Sequence, residues 1–367
     1  MDNRYEHQLP DLSLGPENRL WIFGTNEIAR QYYEQICRRY GEHVVNGFIN
    51  TAGRPATFLG KKVYGLAEKR EIGEHEIFLV ATRSAADIAV ASFRYYYGVP
   101  ENRIIYRAEW LSSLPPNGKP VLIHQFGKVG STSILHGLRR LNLEAYQTHV
   151  LNAEKLDEWV RDVQKAGMAD LHVVFLNMLS ISKWFLSRKW NIISAVRDPL
   201  SRNISWFFES LYSYVPDYRQ QLETDPSRLT DLCLELFIEK FPHEEIFHWF
   251  DTEIKDHFGI DVLAHPFDKY NGYVVCEENG HRLLVLQFER LPNLSDIIRE
   301  FLGLSEFELI RENISEKKDY GFVYREFLKR IRFDEAFLDR MYDNKFTRHF
   351  YSDEEIETFR RKWSKQS

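Results

Sequence analysis

The sequence VLIHQFGKVGSTSILHGL, residues 121–138, carries the strongest local structural signal of this chain. Its apolar run at 121–126 is typical of a buried strand, and a helix is predicted to follow through about residue 141. The turn between them contains glycine, lysine and hydroxyl side chains. Such a turn presents backbone N–H groups, and the start of a helix adds partial positive charge. The stretch therefore predicts a strand–loop–helix unit that binds a phosphate group.

The loop residues also indicate which phosphate chemistry is excluded. Lys128 supplies a full positive charge beside Gly130, and hydroxyl donors follow at Ser131, Thr132 and Ser133. In the nucleotide-kinase pattern GxxxxGK[ST] the lysine follows the second glycine, whereas Lys128 precedes Gly130. No acidic strand end stands out as a magnesium ligand, so ordinary ATP chemistry is disfavoured. A glycine- and serine-rich turn that merely starts a helix is the structural alternative.

A second anion-binding pattern follows the apolar run NIISAV, residues 191–196. This run predicts a buried strand that leads directly into Arg197, and ligands of open α/β sheets bind at the ends of such strands. Asp198 and Pro199 predict the start of a helix, which carries Ser205. Alone, Arg197 could be a salt-bridged strand end and Ser205 a neutral helix residue. Two anion sites on successive parallel strands instead fit a ligand with two separated phosphates.

Together the two motifs resemble those of sulfotransferases. KVGSTS at 128–133 is similar to their 5′-phosphosulfate loop, and Arg197 with Ser205 is similar to their 3′-phosphate motif. The donor of that family is 3′-phosphoadenosine-5′-phosphosulfate (PAPS), which carries two separated anionic groups. More narrowly, QFGKVGSTSILHGL (125–138), THVL (148–151) and IISAVRDPLSRNISWFF (192–208) resemble a bacterial family of capsular polysaccharide synthesis proteins.

The resemblance implies a P-loop-type α/β domain that transfers the sulfuryl group of PAPS to a saccharide hydroxyl. By this resemblance Lys128 contacts the bridging and 5′-phosphate oxygens and stabilises the leaving group, while residues 130–133 hold the phosphosulfate. Arg197 and Ser205 hold the 3′-phosphate, and the scheme requires no metal. The alternative is a non-catalytic nucleotide-binding or scaffolding protein of capsular polysaccharide biosynthesis.

Sulfuryl transfer needs a base that accepts the proton of the acceptor hydroxyl. His149 is the first candidate, because it follows the strand predicted at 143–146, where some polysaccharide sulfotransferases carry their base. His172 is the second candidate, at the start of the strand predicted at 172–176. Cytosolic sulfotransferases have their histidine at the far end of that strand, where this chain has Asn177. A histidine on a surface loop is an equally good interpretation of His149.

The remainder of the chain is predicted to be mostly helical, with a strand at 282–288 and a helix with a capping box that begins at Ser352. Lys317 and Lys318 resemble a basic loop that closes over the nucleotide in some sulfotransferases. A solvated charge cluster is the better interpretation of these two lysines.

The first part of the chain alternates strand and helix signals. Strands are predicted at 20–23, 43–49, 76–81 and 103–106, and helices at 26–39 and 84–97. Strands that alternate with helices predict a parallel sheet and hence a Rossmann-like domain. The linker LPPNGKP, residues 114–120, predicts domains at 1–114 and 115–367.

This first domain lacks the full dinucleotide fingerprint. Gly24 and Ala29 keep its first and last positions, but Asn26 stands in the middle and the second strand ends at Asn50 rather than an acidic residue. GFIN (47–50) and GKKVYG (60–65) resemble nucleotide-sugar-binding domains found beside bacterial glycan enzymes. That resemblance implies a nucleotide-sugar ligand or a partner enzyme of glycan synthesis. A purely structural appendage is the alternative.

Composition limits the remaining possibilities. The chain has 367 residues, with 48 Lys and Arg against 54 Asp and Glu, and this net charge of −6 disfavours a non-specific nucleic-acid binder. Cys37, Cys233 and Cys276 lack CxxC spacing, which argues against disulfides and a zinc site. We find no signal peptide and no apolar run of about 20 residues. We therefore expect a cytoplasmic protein without a membrane span.

Overall fold

A computed structural model describes residues 7–68, 71–310 and 319–364. It is a mixed α/β structure with two sheets in which parallel pairing predominates. The chain folds into two compact units, the first formed by Met1–Ser113 with Leu151–Arg188 and the second by Leu114–Val150 with Lys189–Ser367. The first two segments meet between Ser113 and Leu114, whereas the sequence predicts a domain boundary between residues 114 and 115. The chain then returns to the first unit for Leu151–Arg188, which the sequence had placed in the second domain.

The strands of both sheets are numbered along the chain. They are β1 (Arg19–Phe23), β2 (Val45–Asn50), β3 (Thr57–Phe58), β4 (Lys61–Gly65), β5 (Glu76–Val80), β6 (Ile104–Ile105), β7 (Val121–His124), β8 (Ala145–Thr148), β9 (Asn191–Val196), β10 (Tyr273–Glu278) and β11 (His281–Gln287).

The α-helices are numbered in the same way. They are α1 (Glu27–Tyr40), α2 (Ala86–Ala91), α3 (Ser131–Arg140), α4 (Ala153–Lys165), α5 (Ala169–Ser182), α6 (Pro199–Glu209), α7 (Leu211–Tyr214), α8 (Tyr218–Thr224), α9 (Pro226–Glu239), α10 (Asp256–Phe258), α11 (Ser295–Leu302), α12 (Gly321–Arg330), α13 (Glu335–Tyr342), α14 (Lys345–Phe350) and α15 (Asp353–Trp363). Within the described part of the chain, none of these helices is both long and apolar enough to cross a membrane.

The sheet of the first unit has the strand order β3-β4-β2-β1-β5-β6. All its pairs are parallel except β3 with β4. α1 connects β1 to β2 and buries Ala29, Tyr32 and Ile36, which recur at the spacing of one helix face. The four strands predicted in this part of the chain are confirmed, with bounds shifted by up to two residues.

The strand predicted at 172–176 is wrong, because those residues form the middle of α5. Val173 and Val174 favour a strand locally, but both are exposed on α5. The helix buries Phe175, Met178 and Leu179, which recur at the spacing of one helix face. α5 packs against α4 and α2 within the first unit. His172 therefore lies on a helix of the first unit and does not open a strand.

The sheet of the second unit has the order β10-β11-β9-β7-β8. β7 pairs in parallel with β8 and β9, β9 pairs in parallel with β11, and β10 is an antiparallel edge strand. Apolar side chains of β7, β9 and β11 form one core with those of α3 and α11. Because β7 and β9 are parallel neighbours, their carboxyl ends meet at one edge of the sheet, where the chain order reverses. Both predicted anion motifs follow these two strands.

Candidate anion-binding site at the β7–α3 loop

The loop between β7 and α3 has an unusual backbone. Gly127, Lys128 and Gly130 have φ angles of 83°, 62° and 84°, in the left-handed region. A Cβ atom on Gly127 would lie 2.8 Å from the Trp206 ring, and one on Gly130 would lie 2.6 Å from Leu291 Cδ2. Both glycines are therefore required by conformation and by close packing. Lys128 occupies such a conformation with a side chain, so the loop sets the direction of that side chain.

The first turn of α3 has no side-chain cap in the described structure. Gly130 is its N-cap residue and lacks a side chain that could accept from the N–H groups. Ser131 is buried, and its hydroxyl accepts a hydrogen bond from Gln147 Nε2 at 3.0 Å. Thr132 and Ser133 are half-buried. Uncapped N–H groups at a helix start suit an anion, as the sequence predicts.

The structure brings the two predicted anion motifs together. Arg197 follows β9, and its Nη1 donates a hydrogen bond of 2.9 Å to the backbone oxygen of Lys128. Its guanidinium lies over the ring of Phe288, 4.5 Å from the ring centre. A strand-end cation and a glycine loop thus form one site at the edge of the sheet.

One face of α6 lies along the loop, which the sequence did not predict. Arg202, Trp206 and Glu209 recur at spacings of four and three residues, so they share a helix face. Arg202 Nε donates to the Gly127 oxygen at 3.4 Å, and Trp206 packs on Gly127. Glu209 Oε2 lies 3.2 Å from Lys128 Nζ. The sequence already shows that these three residues share a helix face after Arg197. It does not show that this face lies against the loop, which only the placement of α6 reveals.

Arg202 is a deeply buried charge of this site. Its side chain is 1% exposed, lies 3.6 Å from the ring centre of Phe126 and also donates to the Phe126 oxygen. Burial lowers the pKa of Arg202 to about 9, which still leaves the guanidinium charged at neutral pH. Arg202 therefore holds the loop in place by donating hydrogen bonds to the carbonyl groups of Phe126 and Gly127.

Asp198 anchors the start of α6 and with it the adjacent Arg197. It is buried and accepts from the N–H groups of Leu200 and Ser201, each at 3.3 Å, as the predicted cap requires. Tyr342 Oη and Trp363 Nε1 also donate to it, at 2.7 and 3.1 Å. These contacts come from residues distant in sequence. Ser205 lies further along α6 and is 4% exposed.

His149 lies directly after β8, beside the loop. The Gln125 carbonyl oxygen lies 3.0 Å from its Nδ1, and the Gln125 side-chain Nε2 lies 3.1 Å from the same atom. The carbonyl accepts from a protonated Nδ1 and the amide donates to an unprotonated one, so these contacts fit either tautomer of the ring. Burial, together with the nearby cations Arg202 and Lys128, lowers the pKa of His149 to about 4. Trp249 Nε1 donates to its backbone oxygen at 3.1 Å. His149 is therefore a neutral imidazole at pH 7, placed among cations.

Gln125 also contacts the loop at the end of β7. Gln125 is buried, and its side-chain oxygen accepts from the Gly127 N–H, so it ties the loop to the end of β7. Lys317 and Lys318 lie outside the described residues. Among the residues that the structure describes, no group of three or more His, Cys, Asp or Glu side chains is arranged to hold a metal ion.

Comparison with known proteins gives one family. Residues 221–352 match a family described as “Putative capsular polysaccharide synthesis protein”. The matched segment begins after α6, so it includes neither the β7–α3 loop nor Arg197. No curated protein and no solved structure matches the chain. The similarity is therefore confined to one segment of the second unit.

Proposed function

We propose that this chain is a sulfotransferase that moves the sulfuryl group of PAPS to a saccharide hydroxyl during capsular polysaccharide synthesis. The observation that carries the proposal is the hydrogen bond from Arg197 to the Lys128 carbonyl. It joins a glycine loop and a strand-end arginine in one site. A ligand with anionic groups on its 5′ and 3′ sides matches two such binding points.

In this proposal the loop and the first turn of α3 hold the 5′-phosphosulfate, and Arg197 with Ser205 holds the 3′-phosphate. The acceptor oxygen forms a bond to sulfur, and the bond from sulfur to the bridging phosphate oxygen breaks. Lys128 neutralises the charge that develops on that leaving oxygen, and 3′-phosphoadenosine 5′-phosphate (PAP) is released. Fixed positive groups supply most of the rate enhancement of such a transfer.

His149 is the proposed base. Burial and neighbouring cations disfavour the imidazolium form, so the ring is neutral at pH 7. In this proposal Nδ1 carries the ring proton and donates to the Gln125 carbonyl oxygen, which leaves Nε2 free to accept a proton. A bound anion near Lys128 and Arg202 would offset these cations and make the imidazole a stronger base. The acceptor proton would then go to Nε2, while Nδ1 keeps its hydrogen bond to Gln125.

The similarity of residues 221–352 to capsular polysaccharide synthesis proteins supports a saccharide as acceptor. For the first unit we propose a Rossmann-like domain that binds a nucleotide-sugar or a partner enzyme of glycan synthesis. Its parallel strands follow the order β4-β2-β1-β5-β6, which is typical of doubly wound sheets with a ligand crevice beside the first strand.

Transfer of labelled sulfate from PAPS to capsular oligosaccharides tests the function. We expect label in the saccharide, and we expect PAP, but neither ADP nor ATP, to raise the melting temperature. If neither PAP nor PAPS binds, the proposal is wrong. Binding without any transfer to any saccharide would instead support the non-catalytic nucleotide-binding alternative.

A further inference from the structure

Glu209 is a carboxylate inside a site that is otherwise built for anions. Its Oε2 lies 3.2 Å from Lys128 Nζ, and the two side chains are 26% and 18% exposed. A negative charge at this place repels an anionic ligand. Glu209 also ends α6, where the helix dipole disfavours a carboxylate. Two electrostatic costs thus fall on one residue, which indicates that its charge has a use.

The contact with Lys128 suggests this use. The lysine side chain is a flexible stem with an ammonium group that has three N–H donors. Its backbone is fixed in the left-handed region between Gly127 and Gly130, but the stem alone does not fix the ammonium group. The ion pair with Glu209 orients one N–H, and this sets the directions in which the other two N–H groups can reach a ligand oxygen.

Tyr320 holds the same carboxylate oxygen in place. Its hydroxyl donates to Glu209 Oε2 at 3.3 Å, and its ring packs on Phe208 with ring centres 5.6 Å apart. Burial, with the charge of Glu209, raises the pKa of Tyr320, so the hydroxyl stays protonated and keeps donating. Glu209 is thereby oriented by a buried tyrosine on the segment that precedes α12.

We infer that Glu209 is a positioning residue, which directs the Lys128 ammonium group toward the leaving oxygen. The negative charge of Glu209 lowers the affinity of the site for PAPS at the same time. The role in transfer rests on the proposed function, whereas the ion pair itself does not. Removal of the charge should therefore tighten nucleotide binding and slow transfer in the same variant. A residue that merely supported the fold would weaken both.

The test compares Glu209→Gln with Glu223→Gln, a matched change of an exposed carboxylate on α8 of the same unit. Acetylation of Lys128 by an N-hydroxysuccinimide ester, followed by peptide mass spectrometry, measures the ion pair without any nucleotide. Calorimetry with PAP measures affinity, and labelled PAPS measures kcat. A thermal melt checks that each variant is folded.

For Glu209→Gln we expect acetylation of Lys128 to speed up, and PAP to bind about 3- to 10-fold more tightly because a repelling charge is gone. We expect kcat to fall about 10- to 100-fold because the ammonium group is misplaced. Glu223→Gln should change none of these. Tyr320→Phe keeps the ring but removes the hydroxyl that shares Glu209 Oε2 with Lys128. Glu209 should then pair more strongly with Lys128, which should slow acetylation and weaken PAP binding slightly.

Unchanged acetylation in Glu209→Gln would overturn the inference whatever the nucleotide does. Faster acetylation with weaker PAP binding, or with unchanged kcat, would also overturn it. If acetylation rises but the wild-type protein neither binds PAP nor transfers sulfate, the ion pair stands while the proposed function and the role of Glu209 in transfer both fail.

Discussion

The two sheets each have a strand–turn–helix unit next to the point where the strand order reverses, but the two turns are built differently. In the first unit, side chains of the turn after β1 and of the neighbouring strand form hydrogen bonds with groups of the turn. Asn26 caps α1 by accepting from the Ala29 N–H at 3.0 Å, and Asn50 Nδ2 donates to Thr25 Oγ1 at 2.9 Å. Polar side chains thus cap α1 and tie the turn to the end of β2.

In the second unit the corresponding loop is held from outside. Arg197 and Arg202 bind loop carbonyl groups, while the described start of α3 carries no side-chain cap. Cations thus satisfy these carbonyls, and Gln125 accepts from the Gly127 N–H. The same local topology is therefore completed in two ways: a side chain caps α1 in the first unit, whereas arginines hold the loop before an uncapped α3 in the second.

The largest effect that sharpens this comparison is expected for Lys128→Ala. Loss of the charge beside the leaving oxygen should lower kcat by about 10²- to 10³-fold. Lys165→Ala, at an exposed lysine near the end of α4, is the control and should keep wild-type transfer. Rates with labelled PAPS measure the effect. Transfer by Lys128→Ala within a factor of a few of wild type would contradict the assigned role.

The next effect separates loop packing from backbone strain. Gly127→Ala places a Cβ 2.8 Å from the Trp206 ring at a φ of 83°, whereas Gly60→Ala has a φ of 75° and no atom within 4 Å. We expect Gly127→Ala to lose about 2–3 kcal/mol of unfolding free energy and Gly60→Ala to lose about 1 kcal/mol. Urea unfolding measures both values. Equal losses would show that Trp206 does not press on the loop.

A smaller effect concerns the self-capped turn of the first unit. Asn26→Ala removes the cap of α1 and should cost about 1 kcal/mol of unfolding free energy. The affinity for PAP should stay unchanged, because the site lies within the second unit. Urea unfolding and calorimetry on one variant provide the two numbers. A weakened PAP affinity would break the distinction between the two turns.

The smallest effect is a pH dependence of stability from His149. Its pKa is about 4 in the folded chain, below the ordinary 6.5, so the unfolded chain takes up the proton first. Its contribution is full above pH 6.5 and is lost as the pH falls toward 4. His243 and His281, also with pKa values near 4, act in the same direction. Unfolding of His149→Gln should therefore lose less stability than wild type over this range, and an identical loss would refute the shift.

Local signals explain which parts of the fold could be predicted. β9 and the start of α6 are marked by an apolar run and by the Asp198–Pro199 cap, both readable within a few residues. The β7–α3 loop is equally local, since glycines and hydroxyl residues interrupt two regular patterns. The capping box at Ser352 is confirmed for the same reason.

What the sequence did not reveal depends on distant contacts. α5 was assigned to a strand because Val173 and Val174 favour one, and its packing on α4 decides otherwise. No sequence pattern predicts that residues 151–188 belong to the first unit. Arg202 and Glu209 acquire a role only through the placement of α6 along the loop. Spacing along a helix predicts a shared face, but not what that face contacts.

The central claim is that Arg197 and the β7–α3 loop form one site for a doubly phosphorylated nucleotide. Calorimetry of the wild-type protein and Arg197→Ala, each with PAP and with AMP, tests it most directly, because AMP lacks the 3′-phosphate. We predict that wild type binds PAP far better than AMP, and that Arg197→Ala loses about 10- to 100-fold in PAP affinity while its AMP affinity stays the same. Equal affinity of wild type for both nucleotides, or an Arg197→Ala protein that binds PAP as wild type does, would contradict the account.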